Sequence, residues 1–226
     1  MDRVVKPEIL DSLPPTDPRM APTRRDLVRI NWWMGNHRLM ARALKQRFNG
    51  QAPRQLLELG AGDGTFLLQI AARTGWRNVD ATLLDRQQIV GDRTLAAFTR
   101  AGWTTRTLTT DVLDWPRSCR ADAIIANLFL HHFQDPELAG LLQDIARSTD
   151  YFVAIEPRRF RFPSLFWPAF LAIGCHPVTR HDAVASIRAG FRRHELTRLW
   201  PDQRHWRLSE QRAGWFSHLF IAEKIS

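Results

Sequence analysis

The segment Leu56-Leu57-Glu58-Leu59-Gly60-Ala61-Gly62-Asp63-Gly64-Thr65 sets an apolar run against three alternating glycines, with a carboxylate two residues before the first. Glycine admits positive φ and removes the Cβ that would block a ligand lying along the backbone. The dinucleotide fingerprint G-x-G-x-x-G has its third glycine where this chain has Thr65, so the spacing here is G-x-G-x-G. A pyrophosphate is repelled by Glu58, whereas a cationic ammonium is attracted: at an effective dielectric of 20, a unit-charge pair at about 4 Å interacts by about 4 kcal/mol before desolvation. Some twenty residues on, Asp85 closes the next apolar run, where a carboxylate can accept both hydroxyls of a ribose. Such bonds to a charged acceptor contribute roughly 1.5–3 kcal/mol each. Asp111 follows the third run and suits an adenine amino group, and Asn127 ends the fourth.

These residues need a scaffold that brings strand ends together. Strands are expected at Gln55–Leu59, Val79–Leu84, Thr104–Thr110, Ala121–Asn127 and Tyr151–Glu156. Helices are expected at Thr65–Thr74, Gln87–Ala101 and Pro136–Ser148, the first two stopped by Gly75 and Gly102. This alternation implies a mostly parallel sheet with helices on both faces, so the carboxyl-end rule places Asn127 in the ligand crevice. Before it, residues 1–23 hold five prolines and read as an extended arm. Residues 24–54 read as a helical cap, with Ile30, Met34, Leu44 and Phe48 at helical spacing and Asn36 as a candidate N-cap. After it, 158–190 form an aromatic, arginine-rich insertion containing a helix over Asp182–Ala189. In 191–226, Phe191–Trp200, Trp206–Glu210 and Trp215–Lys224 read as closing strands or hairpin arms. With no glycine-serine linker, 24–226 is expected to be one domain.

Taken together, these landmarks resemble the class I S-adenosylmethionine-dependent methyltransferases over about residues 55–157 and the closing strands. The resemblance implies a Rossmann-like seven-stranded sheet whose last strand is antiparallel, and S-adenosyl-L-methionine as cofactor. It assigns Glu58, Gly60, Gly62 and Gly64 to the methionine part, Asp85 to the ribose, Asp111 and Val112 to the adenine, and Asn127 to the same crevice. A narrower likeness is to bacterial small-molecule methyltransferases of polyketide and quinone tailoring.

The methyl acceptor is addressed by Leu128-Phe129-Leu130-His131-His132-Phe133. Holding a phenol (pKa near 10) as phenolate at pH 7 costs about 4 kcal/mol. A neighbouring histidine can take that proton as the oxygen attacks, so His131 or His132 is a candidate base, the other reading being support of the loop. The slot lacks the Asn-Pro-Pro-Tyr that amino-group methyltransferases of nucleic acids carry, and lacks a cysteine for covalent pyrimidine chemistry. In the insertion, Phe162 and Trp167, with Phe160, Phe166 and Phe170, offer an apolar acceptor pocket; the alternative is a lid packed on its own core. Arg158, with Arg159, Arg161 and Arg180, offers a partner for a substrate carboxylate or a lipid headgroup, and His176, His181 and His218 are further acceptor-side candidates. Asp182 and Arg188 read as a helix-stabilising pair. No metal set is expected.

The 226 residues carry 32 bases and 23 acids, a net charge of +9. The excess lies on the flanks: 9 bases and one acid between Arg19 and Arg54, 11 arginines and four acids between Pro157 and Ala213, against 9 bases and 12 acids between Gln55 and Ile155. Basic flanks attract anions and keep an RNA methyltransferase as the second reading, although the acceptor slot disfavours nucleic acid. A cofactor-binding partner without turnover is a third reading, and an oxidoreductase is disfavoured by Thr65. The apolar-looking stretch Phe162–Cys175 has 14 residues and two prolines, too short and broken for the roughly 20 that span a bilayer. With two distant cysteines and no apolar leader at the N-terminus, a cytoplasmic enzyme is expected, with peripheral contact at a membrane surface open. The leading expectation is O-methylation of a phenolic, quinol or polyketide-type small molecule.

Overall fold

The apolar runs become strands of one sheet because each is short, rich in aliphatic residues and covered on both faces. In a computed structural model, which describes residues 2–14, 16–115, 120–160 and 174–225, the strands are β1 (Gln55–Leu59), β2 (Val79–Asp85), β3 (Trp103–Thr109), β4 (Ala123–Asn127), β5 (Tyr151–Pro157), β6 (Trp206–Ala213) and β7 (Ser217–Lys224). Their order is β3-β2-β1-β4-β5-β7-β6. The first five are parallel; β7 runs antiparallel to β5, and β6 antiparallel to β7. The expected Rossmann-like, seven-stranded, mostly parallel architecture is therefore present.

Eight α-helices are described: α1 (Ile9–Ser12), α2 (Met20–Met34), α3 (Asn36–Arg47), α4 (Thr65–Thr74), α5 (Asp92–Arg100), α6 (Asp135–Ser148), α7 (Pro177–Ala189) and α8 (Glu195–Leu199). Side chains alternate across each strand, so β1 sends Leu56 to one face and Leu57 and Leu59 to the other. On the first face Met40, Leu44, Leu67, Ile70 and Phe98 of α3, α4 and α5 close a core. On the second, Leu138, Leu141, Leu142 and Ile145 of α6, with Leu196 and Trp200, close another. Each fully buried side chain of this size contributes about 1.5–3 kcal/mol. Glu58 lies on the face of Leu56 at the carboxyl end of β1.

Five local expectations change. Residues 1–23 are not wholly extended: α1 forms a turn whose Ile9 and Leu10 N–H groups donate to the Asp182 carboxylate on α7, each at 2.9 Å, and α2 starts at Met20 with Pro22 in its first turn. Asp182 is thereby taken from the expected pairing with Arg188. Asn36 is not an N-cap; Gly35 holds that position and the Asn36 side chain turns inward. Residues 87–91 stay outside α5, since the Gln87 N–H donates to Asp85 (2.9 Å) and directs the chain into the loop after β2. Finally, 191–200 is not a strand: the Glu210 carboxylate of β6 accepts the N–H groups of Leu196 and Thr197 and so caps α8 from outside. Leu196 and Trp200, four residues apart, then meet the core at helical spacing, while Phe191 stays extended in an isolated bridge to Arg158. Phe162, Trp167, Phe166, Phe170, Arg161 and Cys119 lie outside the described residues.

Candidate active site

β1 and β4 lie side by side while the chain diverges from them toward β2 and β5, and a ligand crevice belongs at the carboxyl ends of such a switch point. A cleft of about 780 Å³ opens there. The glycine loop, Asp85 and the Asp111–Leu113 turn line one half. The segment Asn127–Gln134, the arm Val5–Ser12 and the inner side of α2 line the other.

Of the residues expected in the first half, Glu58, Gly60, Gly62, Asp85, Asp111 and Val112 line the cleft, and Gly64 lies beneath it. Gly60, at φ +67°, passes so close to Phe129 that a Cβ would overlap its ring. Gly62, at φ +56°, has open space where its Cβ would stand, leaving bare backbone toward the cleft. Its N–H donates to Asp85 Oδ2 (2.8 Å), and Gln87 donates to Oδ1 (2.9 Å), so both oxygens are fixed and each retains acceptor capacity. Glu58 is 2% exposed, and its Oε2 has no hydrogen-bond partner among the described residues. Burial, with Asp63 and Asp85 nearby, pushes its carboxyl well above the usual range. A buried acid with an orphaned oxygen stands to gain from a cationic donor, which is what an amino-acid ammonium offers. Asp111 Oδ1 accepts the Leu113 N–H (2.9 Å), holding the turn that carries buried Val112. Gly64 precedes α4, where a Cβ would press on Leu83 and Thr94.

The second half is assembled from distant parts of the chain. Asn127 Nδ2 donates to Asn31 Oδ1 (3.0 Å), and Asn36 Nδ2 donates to Asn127 Oδ1 (3.0 Å). The Ser217 hydroxyl donates to Asn36 Oδ1 (2.7 Å), closing a network that ties α2, α3 and β7 to the end of β4.

The adjacent histidines occupy opposite environments. His131 is buried, its Nδ1 2.8 Å from Glu156 Oε2 and its Nε2 3.3 Å from Glu8 Oε1. Burial opposes its charge, but the hydrogen bonds and charges of Glu156 and Glu8 overcome this and raise its pKa to about 9. Glu156, wholly buried, also accepts the N–H groups of Phe129, Leu130 and His131. With a carboxylate at each ring nitrogen, His131 ties the loop to Glu156 and Glu8. His132 is partly exposed, and its Nδ1 lies 3.1 Å from Asp11 Oδ2 on α1. A carboxylate on Nδ1 leaves Nε2 as the basic nitrogen. Burial alone would raise the acids of Glu8 and Asp11; the histidines, with Ser186 at Glu8 and Arg86 at Asp11, hold both below their ordinary values. Glu8, His131 and His132 each offer a donor atom within 4.8 Å of one another.

The arm that supplies these acids is anchored. Arg3 Nε and Nη2 donate to Asp135 Oδ1 (3.1 and 2.9 Å), Arg3 Nη1 donates to the Ala189 carbonyl (3.2 Å), and its guanidinium lies 4.8 Å from the centre of the Phe191 ring. The Ser186 hydroxyl donates to Glu8.

The remaining acceptor-side candidates lie elsewhere. His218 is buried with Nε2 2.7 Å from Glu210 Oε1, and that pairing belongs to the cap of α8. His176 is the N-cap of α7, accepting the Val178 N–H. His181 is exposed beside Asp182. Arg158 sits over Phe160 outside the cleft lining, and Arg159 is buried against Glu195. Sequence reasoning missed Glu8, Asp11, Asn31, Asn36 and Glu156. The carboxylate at the end of β5 was the one detectable signal, since strand ends meet at the crevice; nothing in the proline-rich arm marks Glu8 or Asp11.

Residues 56–150 match the family model of a methyltransferase domain. No curated protein sequence matches the chain. Among solved structures, the plantazolicin methyltransferase BpumL in complex with SAH superposes with a TM-score of 0.66 at 12% identity, over 93% of this chain and 92% of that one. Magnesium protoporphyrin IX methyltransferase from Synechocystis PCC 6803 with bound SAH superposes at 0.56 and 11% identity, over 85% and 83%. The riboflavin-derivative dimethyltransferase RosA from Streptomyces davawensis superposes at 0.61 and 14% identity, over 97% and 62%. The likeness to these structures is one of fold, and the stretch that matches the methyltransferase-domain model, 56–150, is the one that holds the glycine loop, Asp85 and Asp111.

Proposed function

We propose that this protein methylates an oxygen of a phenolic, quinol or polyketide-type small molecule, with His132 as the base and Asp11 as the residue that orients it. The observation that carries the reading is the His132–Asp11 pair, 3.1 Å apart, in the same cleft as Glu58, Asp85 and the glycine loop.

Bound S-adenosyl-L-methionine supplies an electrophilic methyl on a sulfonium. Glu58 would receive the ammonium of its methionine part, relieving a buried, unpartnered carboxyl. The bare backbone at Gly60 and Gly62 admits the chain of that part. Asp85, already fixed by two N–H groups, offers its remaining lone pairs to the ribose, and Asp111 with Val112 bounds the adenine. The Asn127–Asn36–Asn31 network holds the end of β4 where the two halves of the cleft meet. On the acceptor side, Asp11 accepts the Nδ1 proton of His132, and Nε2 takes the hydroxyl proton as the acceptor oxygen attacks. His131, Glu156 and Glu8 keep the 128–133 loop, and with it His132, in place. Phe129 and Phe133 supply apolar surface against which an aromatic acceptor can lie.

The test is transfer of labelled methyl to a panel of phenols and quinols by wild type and His132→Ala. Loss of about 10²–10⁴ in kcat, with S-adenosylhomocysteine affinity unchanged, is the expected result. Turnover by His132→Ala at the wild-type rate overturns the base assignment.

A further inference from the structure

Five of the eight described tryptophans are buried and three are exposed: Trp32 (58%), Trp33 (65%) and Trp215 (73%). Trp32 and Trp33 end α2, and Trp215 stands in the β6–β7 turn. The Trp33 ring is 5.1 Å from that of Phe216, the neighbour of Trp215, and Phe216 is 6.1 Å from Phe160. Cations are interleaved with these rings. The Arg212 guanidinium lies 5.3 Å from the centre of Trp215, and that of Arg158 lies 5.2 Å from Phe160. Arg212 and Arg192 lie close enough to Arg158 to lower its pKa further, after the larger effect of desolvation. Among the described residues no carboxylate pairs with the side chain of Arg158, Arg192 or Arg212.

We propose that this face docks on an anionic lipid bilayer. Large exposed indoles cost solubility in water, and their preferred environment is the headgroup level, where the ring is apolar and its N–H is wet. Unpaired arginines around them match anionic headgroups in sign and geometry. The tryptophans project from a helix end and a hairpin tip, whereas single-stranded RNA is held in a basic groove with stacking platforms inside it. Among the described residues no helix is long and apolar enough to cross a membrane, so the contact is peripheral.

The face also borders the cleft. Asn31 lines the cleft and precedes Trp32 on α2, and Pro157 lines it and precedes Arg158. If the methyl-transfer reading holds, docking brings the cleft mouth to the bilayer surface and the acceptor is lipophilic. Docking itself does not rest on that reading.

The experiment is co-sedimentation of the full chain with phosphatidylcholine vesicles containing none or 30 mol% phosphatidylglycerol, which needs no turnover. Binding is expected to the anionic vesicles and to weaken with salt. Trp33→Ser/Trp215→Ser and Arg158→Glu/Arg212→Glu should each weaken it about tenfold or more. Arg54→Glu/Arg100→Glu, an equal charge reversal at the amino ends of the strands, should leave it within about twofold. Circular dichroism of each variant separates lost docking from lost folding. The proposal is overturned if the wild type ignores anionic vesicles, if the Arg54/Arg100 reversal weakens binding as much as the Arg158/Arg212 reversal, or if a uridine oligonucleotide is retained while vesicles are not.

Discussion

The two halves of the cleft are built in opposite ways. The proposed cofactor half is local: Glu58, the glycines, Asp85 and Asp111 stand at the ends of three strands that are neighbours in the sheet, with hydrogen bonds spanning about two dozen residues at most. The proposed acceptor half is gathered from the whole chain, with Glu8 meeting His131 across 123 positions, Asn36 meeting Asn127 across 91 and Ser217 meeting Asn36 across 181. A binding site for one fixed ligand can be encoded in a single stretch. A site whose ligand differs from one relative to the next is assembled from what surrounds that stretch, as with loops carried on a rigid scaffold.

Breaking the local half should have the largest effect. Asp85→Ala removes the acceptor that fixes the Gly62 and Gln87 N–H groups and the lone pairs proposed for the ribose. Two hydrogen bonds to a charged acceptor correspond to about 3–6 kcal/mol. Isothermal titration with S-adenosylhomocysteine should therefore show affinity at least a hundredfold lower, and affinity within threefold of wild type would refute the assignment.

In the distributed half the largest effect should fall on stability rather than binding. Glu156→Ala leaves the His131 imidazolium and three loop N–H groups without their buried acceptor. Removing one partner of a buried ion pair costs about 3–5 kcal/mol, so the urea midpoint should drop sharply. Glu156→Gln keeps the shape and should lose less. The same pair predicts a pH dependence. His131 has its pKa raised to about 9 in the fold, against about 6.5 in the unfolded chain. Its contribution is complete below about pH 6.5 and is lost as pH rises through about 9. Glu8 and Asp11 are shifted downward, so theirs is present above the usual carboxylate range and is lost as pH falls through their depressed values. Urea midpoints between pH 6 and pH 10 should fall for wild type and stay flatter for Glu156→Gln; a parallel fall in both would remove His131 as the cause.

The same contrast explains what the sequence allowed to be read. The parallel core, the loop and its acids were legible because strand, glycine turn and helix follow one another with fixed spacing, and each is set by local chemistry. The 191–200 segment was misread because its helix is capped by Glu210, a carboxylate from another strand, and alternation of apolar residues says nothing about such a partner. His218 read as an acceptor-side group because histidine is chemically versatile, yet it is held by the same Glu210. Asp182 looked like one end of a surface pair but caps α1 across 172 and 173 positions. The arm was expected to be featureless, since prolines report only what the backbone cannot do, while Glu8 and Asp11 gain their roles from where Arg3 and Asp182 pin it.

The smallest effect, and the sharpest for the comparison, is expected at Asp11. Asp11→Asn retains the size and a hydrogen-bonding oxygen, so α1 should stay seated through Asp182 and the His132 ring should keep its position. What is lost is the negative charge that favours the Nδ1–H tautomer and stabilises the imidazolium formed when Nε2 takes a proton. A surface carboxylate acting in this way should change kcat by about tenfold, or about 1.4 kcal/mol, with KM for the acceptor near wild type. If instead KM rises while kcat stays put, Asp11 holds the arm over the acceptor and does not act on the base, and the distributed half of the cleft would be a binding device alone.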